Sequence, residues 1–169
     1  YNTLVNKGMY YQPYLIEWVK NKWGTKIWKH RPEGEQIISF AISSQIIQVL
    51  KLITESLKKR MPAWWIKPES MGKTGTTNNN RSCWFAGATP SYTTVVYLGC
   101  DDNRALQNKL YSVHHAVPLW LEFNRNIPHK QTLFVHDPQL KKLTINPYTG
   151  KQIDNNKTTH GITILTARS

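Results

Sequence analysis

Apolar positions along this chain follow two different periods. From Tyr10 to Trp28 (YYQPYLIEWVKNKWGTKIW) aromatic and β-branched residues alternate with polar ones, interrupted by Asn21-Lys22-Trp23-Gly24. A period of two predicts a hairpin, with Gly24 supplying the turn. Trp18, Trp23 and Trp28 are read as packing residues. After Pro32-Glu33-Gly34 the period lengthens, and Ile38, Ile42, Ile46, Val49, Ile53 and Leu57 recur at helical spacing between Ile37 and Leu57. Ser39 is the expected N-cap. Ser43, Gln48, Lys51 and Glu55 fall off the stripe, so the stripe is expected to pack on a sheet.

Arg60 to Ser70 (RMPAWWIKPES) holds two prolines and reads as a connector. Ser82 to Gly87 and Thr93 to Gly99 are strand-like, joined by Ala88-Thr89-Pro90-Ser91-Tyr92, and with the stretch around Lys73 they predict a three-strand antiparallel meander. Ala116 to Phe123 is the expected closing helix, with Pro118 in its first turn. From Asn124 the chain turns rich in Asn, Lys, Thr and Pro, with short apolar runs at Leu133-Phe134-Val135 and Ile162-Thr163-Ile164-Leu165. The pattern predicts an α+β fold in which helices pack an antiparallel sheet. Residues 1–123 form its main unit, and 124–169 are a C-terminal extension with two or three short strands.

With 169 residues, 40% hydrophobic and 11% aromatic, the chain has room for one domain with a real core. A net charge of +12 favours an acidic partner: nucleic acid, an anionic membrane or an anionic wall polymer. The basic residues are scattered, with Lys58-Lys59-Arg60 the one short run, which weighs against a nucleic-acid stripe. No stretch has the uncharged length to span a bilayer. Cys83 and Cys100 lack metal-ligand spacing; they face each other if a hairpin turns near Pro90 to Thr93, and two small buried residues are the plainer reading. Asp101-Asp102-Asn103 reads as an acidic turn, and His114-His115 cannot chelate from adjacent helical positions. No cofactor or metal is expected.

The chemistry concentrates in Gly72-Lys73-Thr74-Gly75-Thr76-Thr77-Asn78. In a strand, alternation sends Lys73 and Gly75 to one face and Thr74 and Thr76 to the other, while glycine lets a substrate approach the backbone. A twist at Gly75 would bring ammonium, hydroxyl and a backbone N–H together, a set suited to a carboxylate and a developing oxyanion. Gly72-Lys73-Thr74 also matches the end of a P-loop, but position 67 is Lys67 and Gly-Thr-Thr-Asn-Asn-Asn follows Thr74.

Gly72 to Asn78, Trp84-Phe85-Ala86-Gly87 with Thr89-Pro90, and Val95-Val96-Tyr97-Leu98-Gly99-Cys100-Asp101-Asp102 together resemble the transpeptidase domain of class A penicillin-binding proteins. Asn6-Lys7-Gly8-Met9-Tyr10 with Pro13-Tyr14-Leu15-Ile16 is similar to that family's N-G-G-x-Y and P-x-x-I segment, and His115-Ala116-Val117-Pro118-Leu119-Trp120 to its A-A-P-x-W helix. The resemblance runs from about Asn6 to Phe123, with a fainter likeness at Asn146 to Gly150. It implies part of a β-lactamase/transpeptidase-like fold and a D,D-transpeptidase that cross-links peptidoglycan stem peptides through an acyl-serine and binds β-lactams. Lys73 would attract the stem peptide's terminal carboxylate. Thr74, Thr76 and Thr77 would border it, Gly75 would keep the strand open, and the Thr76 N–H would be an oxyanion donor.

The chain departs from the family in having no S-x-N, and the S-x-x-K at Ser56-Leu57-Lys58-Lys59 lies at a helix end. The connector and Cys83 depart from the family as well. The resemblance therefore implies a nucleophile N-terminal to Tyr1, in a longer protein with an upstream glycosyltransferase domain and a membrane anchor at the extracytoplasmic face. This chain alone is expected not to acylate. The alternative is a non-catalytic basic module of the same fold that binds cell wall or nucleic acid.

Overall fold

A computed structural model of the chain describes residues 1–106, 110–153 and 161–167, and the side chain of Trp64 lies outside that description. One helical turn, α1 (Asn2–Val5), leads into β1 (Met9–Tyr11). The link is Lys7 and Gly8, both at positive φ (58° and 87°). A Cβ on Gly8 would lie 1.9 Å from the Ile38 carbonyl, so only glycine fits here. The expected hairpin forms between β2 (Trp18–Lys20) and β3 (Lys26–Lys29), with Gly24 at φ 82° in the turn. Tyr10 does not join it. Strand β1 pairs instead with β4 (Gly34–Gln36), placing Tyr10 opposite Glu35.

The tryptophans of this hairpin correct the packing expectation, since Trp18, Trp23 and Trp28 are all exposed. Lysines cover two of them: Lys20 lies 4.7 Å from the Trp18 ring and Lys22 4.5 Å from the Trp23 ring. The short hairpin has no second layer to bury them, so the ring faces attract cations instead.

Helix α2 (Phe40–Arg60) begins as predicted, with Ser39 Oγ accepting from Ile42 N at 3.2 Å. Its orientation reverses the expectation. Ser43, Ser44, Ile47, Lys51, Thr54 and Leu57 are buried, whereas Ile42, Ile46 and Val49 are 49%, 38% and 55% exposed. The inward polar groups are all paired, which is what makes this face buriable. Ser43 Oγ donates to Leu4 O, Ser44 Oγ accepts from Asp137 N, and Thr54 Oγ1 donates to Ser70 O. Lys51 is ion-paired with Glu69, whose other carboxylate oxygen accepts from Phe134 N.

After a 3-10 turn at Pro62–Trp64 comes the predicted meander: β5 (Met71–Thr76), β6 (Ser82–Ala88) and β7 (Thr93–Gly99), antiparallel in that order. Burial alternates along β7, with Thr94, Val96 and Leu98 inward. The register extends that inner face to Phe85 and Thr74 opposite Val96, and to Cys83 and Thr76 opposite Leu98. Helix α3 (Ala116–Arg125) closes it with Ala116, Val117, Trp120 and Leu121, the Phe85 and Trp120 rings meeting edge-on at 5.3 Å. Leu57 joins this cluster from the last turns of α2.

The two cysteines are free, because Cys83 sits opposite Leu98 and donates its thiol to Leu110 O. Asp102 makes a turn by accepting from Arg104 N.

Beyond α3, the segment Leu133–Val135 forms no strand; Phe134 instead inserts between Ile47, Met71 and Ala88. Strands β8 (Leu140–Ile145) and β9 (Ile162–Ala167) pair antiparallel. They lie against α2, where Gln45 and Gln48 donate to Leu165 O and Thr163 O. Among the described residues no helix is long and apolar enough to cross a membrane.

Candidate active site

Strand β5 carries every site residue that the sequence singles out except Thr77, which follows it directly. The strand is at the edge of its sheet, and its second side faces no described strand. Thr77 N donates to Ser82 O at 3.1 Å, so that N–H points toward β6. In an antiparallel ladder the next residue back points the other way, which turns the N–H of Thr76 to the open edge. The N–H and C=O groups of Thr74 and Gly72 share that direction.

Lys73 is exposed. Its ammonium lies against the same edge, donating to Thr74 O at 2.9 Å and reaching Thr74 Oγ1 at 3.4 Å. The register puts Lys73 and Gly75 on the sheet face that also bears Trp84 and Tyr97, whose rings meet at 4.4 Å with their planes tilted by 48°. The Lys73 ammonium and the Thr74 hydroxyl thus lie together at the edge toward which the Thr76 N–H points, with no carboxylate ion-paired to Lys73 among the described salt bridges.

The glycines serve two different needs. A Cβ on Gly72 would meet Phe85 Cζ at 2.6 Å and Ala86 O at 2.9 Å, so this glycine is demanded by the core. At Gly75 the nearest atom would be Trp84 Cβ at 3.4 Å, which leaves room on the open side.

Thr77 is occupied in the turn that follows. Its Oγ1 accepts from Ser82 N at 2.8 Å and Arg81 N at 3.2 Å, bracing Asn79 and Asn80 at positive φ. A strand leading into this turn, rather than into a helix, also rules out the P-loop geometry.

One residue of the site escapes the sequence reading. Ser112, buried at 1% exposure, donates to Gly75 O at 2.5 Å and is 2.8 Å from Thr76 Oγ1. It sits in the segment entering α3, with Val117 N donating to its carbonyl. Nothing in its neighbours' spacing marks it, because its partners lie 36 and 37 positions upstream. Ser56 is exposed on α2, and none of its described hydrogen bonds tie it to β5. Among the described residues no group of three His, Cys, Asp or Glu side chains is placed to hold a metal ion.

Comparison with known proteins matches residues 1–117 to the penicillin binding protein transpeptidase domain. The chain is 46% identical over 52 residues to penicillin-binding protein 1A of Neisseria flavescens, covering 31% of this chain and 6% of that protein. Against penicillin-binding protein 4 of Bacillus subtilis identity is 28% over 120 residues, 71% of this chain and 19% of that one. The chain thus spans less than a fifth of these relatives. The crystal structure of penicillin-binding protein 1A from Haemophilus influenzae superposes on 96% of this chain with a TM-score of 0.78, at 19% identity, and 30% of that chain is covered. That likeness establishes the mixed helix and antiparallel-sheet fold.

Proposed function

Because the chain belongs to the penicillin-binding protein transpeptidase family, we propose that it forms one wall of a serine-type D,D-transpeptidase site that cross-links peptidoglycan stem peptides. The observation that carries this reading is the open edge of β5. A peptide laid along it can pair with the outward groups of Gly72, Thr74 and Thr76 as an added strand. Its terminal carboxylate then reaches the Lys73 ammonium and the Thr74 and Thr76 hydroxyls, and its scissile carbonyl the Thr76 N–H.

Attack of a serine oxygen on that carbonyl places a full negative charge on the former carbonyl oxygen. A fixed N–H aimed there stabilises the intermediate without reorganisation, an effect worth about 3 kcal/mol per donor in comparable sites. Collapse expels the amine of the terminal residue and leaves the acyl-serine, which a second amine resolves. The nucleophile belongs to a part of the parent protein outside this chain, consistent with the relatives' greater length. Such a protein works at the extracytoplasmic face of the membrane, its anchor and its glycosyltransferase domain also outside these residues. The exposed Ile42, Ile46 and Val49 face of α2 supports this view, since an amphipathic helix leaves its apolar stripe in water only when something else covers it. The occupant we assign is the portion of the same domain that bears the serine.

The test is labelling of the full-length protein by a fluorescent penicillin. Lys73→Ala and Thr76→Val should each slow labelling at least tenfold, and this chain by itself should form no adduct by intact mass. Labelling at the unaltered rate in both variants, or an adduct on Ser56, rejects the assignment.

A further inference from the structure

Every residue of β2 and β3 is exposed, and no third strand pairs with either of them among the described residues. A two-stranded hairpin this short is marginal by itself in water and gains stability when a further strand joins it.

Its two faces differ in chemistry. Trp18 and Lys20 lie two residues apart on β2, with Lys29 opposite Trp18 and Lys26 opposite Lys20, so these four side chains share one face. The ammonium groups of Lys20 and Lys26 lie 4.7 and 5.6 Å from the Trp18 ring, in keeping with that register. The other face pairs Val19 with Trp28, and Glu17 and His30 bound it at the base of the hairpin.

The cationic face is not neutralised from within the chain. Residues 18–32 hold Lys20, Lys22, Lys26, Lys29 and Arg31 and no Asp or Glu. No carboxylate is ion-paired with Lys20, Lys26 or Lys29 among the described salt bridges. Lys20 and Lys26 stand directly opposite each other, and like charges across a ladder repel. An acidic side chain set beside them would relieve that repulsion.

The backbone shows which edge can be extended. His30 N donates to Glu17 O at 2.8 Å and Asn21 N to Thr25 O at 2.9 Å, so Glu17 and Asn21 bond inward, toward β3. Alternation then turns the N–H and C=O groups of Trp18 and Lys20 outward. On β3 the pairing skips Ile27, and a strand with an extra residue bends and makes a poorer template.

We propose that the outer edge of β2 takes up an extended segment of a partner protein in which acidic and apolar residues alternate. The segment's backbone bonds to the outward groups of Trp18 and Lys20 as an added strand. Its side chains alternate between the two faces, so acidic residues lie beside Lys20 and the Trp18 ring, and apolar residues extend the Val19–Trp28 face. Exposed tryptophans are favoured anchors for such a contact. A second copy of this hairpin is a poor occupant, because it would set lysines against lysines. The surface uses none of the β5 residues and does not depend on the transpeptidase reading.

The experiment measures binding of a fluorescein-labelled nine-residue peptide alternating Glu and Val to the full-length protein by fluorescence polarisation. One comparison peptide has the same composition with its glutamates in a single block. Another keeps the alternating order with every backbone nitrogen methylated, which retains the charges and removes the donors. Vesicles of phosphatidylglycerol and phosphatidylcholine are the third probe. The alternating peptide should bind at least tenfold more tightly than either altered peptide. Lys20→Gln/Lys26→Gln/Lys29→Gln should weaken it at least tenfold without lowering Tm. Lys20→Gln alone should weaken it about threefold, and Val19→Ser, on the other face, by a similar factor. No binding of the alternating peptide, equal binding of either altered peptide, or undiminished binding in the lysine variants overturns the proposal. Vesicle binding that depends on the lysines, with no peptide bound, overturns it in favour of a lipid surface.

Discussion

Replacing Ser112 by alanine tests whether the site is positioned from behind by α3. The hydroxyl donates to Gly75 O and is within hydrogen-bond distance of Thr76 Oγ1, from a side chain that is 1% exposed. Removing it orphans both partners. A buried group left without its partner costs about 1–3 kcal/mol. Thr76 is exposed and regains water, so the lower half of that range applies, about 1–2 kcal/mol. For a chain of this size that lowers Tm by about 2–8 °C. If the same contact fixes the backbone at Thr76, the loss also appears in the barrier, and about 1–2 kcal/mol slows penicillin labelling by about 5–30-fold. Thr89→Val is the control. Thr89 is fully buried, its hydroxyl accepts from Ser91 N and Tyr92 N, and it lies at the opposite end of the sheet. It should lose comparable stability and label normally. If Ser112→Ala labels at the unaltered rate while Tm falls as in the control, Ser112 is merely structural and the positioning argument fails.

Gly72→Ala drives a methyl group into Phe85 and the Ala86 carbonyl and should destabilise by about 1–3 kcal/mol in urea unfolding; an unchanged midpoint would contradict the packing described. Ile46→Lys should alter this chain's stability by no more than about 0.5 kcal/mol, as an exposed substitution does, yet cost the full-length protein about 2 kcal/mol or more by placing a charge in an interface. Equal effects in both would mean that nothing covers that face of α2. His136 has its pKa lowered first by burial and then by the nearby Lys51 charge, with Glu69 opposing and Lys142 adding to the lowering. The folded state therefore takes up this proton less readily than the unfolded chain, whose His titrates near 6.5. Stability from this group is complete above about pH 6.5 and falls as pH drops through the unfolded value toward the folded one. His136→Gln should flatten the fall in unfolding free energy between pH 7.5 and 5.5, and an identical slope in the variant would exclude His136 as its source.

The local pattern was enough to place Ser39 at the start of α2, Gly24 in the β2–β3 turn and the three strands of the meander. Each of those features is decided within a few residues, by a cap, a positive φ or a period of two. It was also enough to set Lys73, Thr74, Gly75 and Thr76 on one strand, because their spacing carries the chemistry. The pairing of Tyr10 with Glu35 lay outside its reach, since two strands of three residues announce no partner. The same holds for Phe134, which looks like part of a strand by composition and is instead a plug for the α2–β5 cluster.

The clearest division is on α2 and at Ser112. Helical periodicity established that α2 has an apolar stripe along Ile42, Ile46 and Val49, but periodicity says nothing about what stands opposite. Only the folded chain could choose the face with Ser43, Ser44, Lys51 and Thr54, because their partners Leu4 O, Asp137 N, Glu69 and Ser70 O arrive from distant segments. Ser112 reaches Thr76 for the same reason: a hydrogen bond closed over 36 residues depends on α3 docking against Phe85 and Cys83, a long-range packing event that no local spacing encodes. The amino-acid order thus determined which groups the open edge of β5 offers, and the tertiary structure decided how they are held and which faces are left for a neighbour to cover.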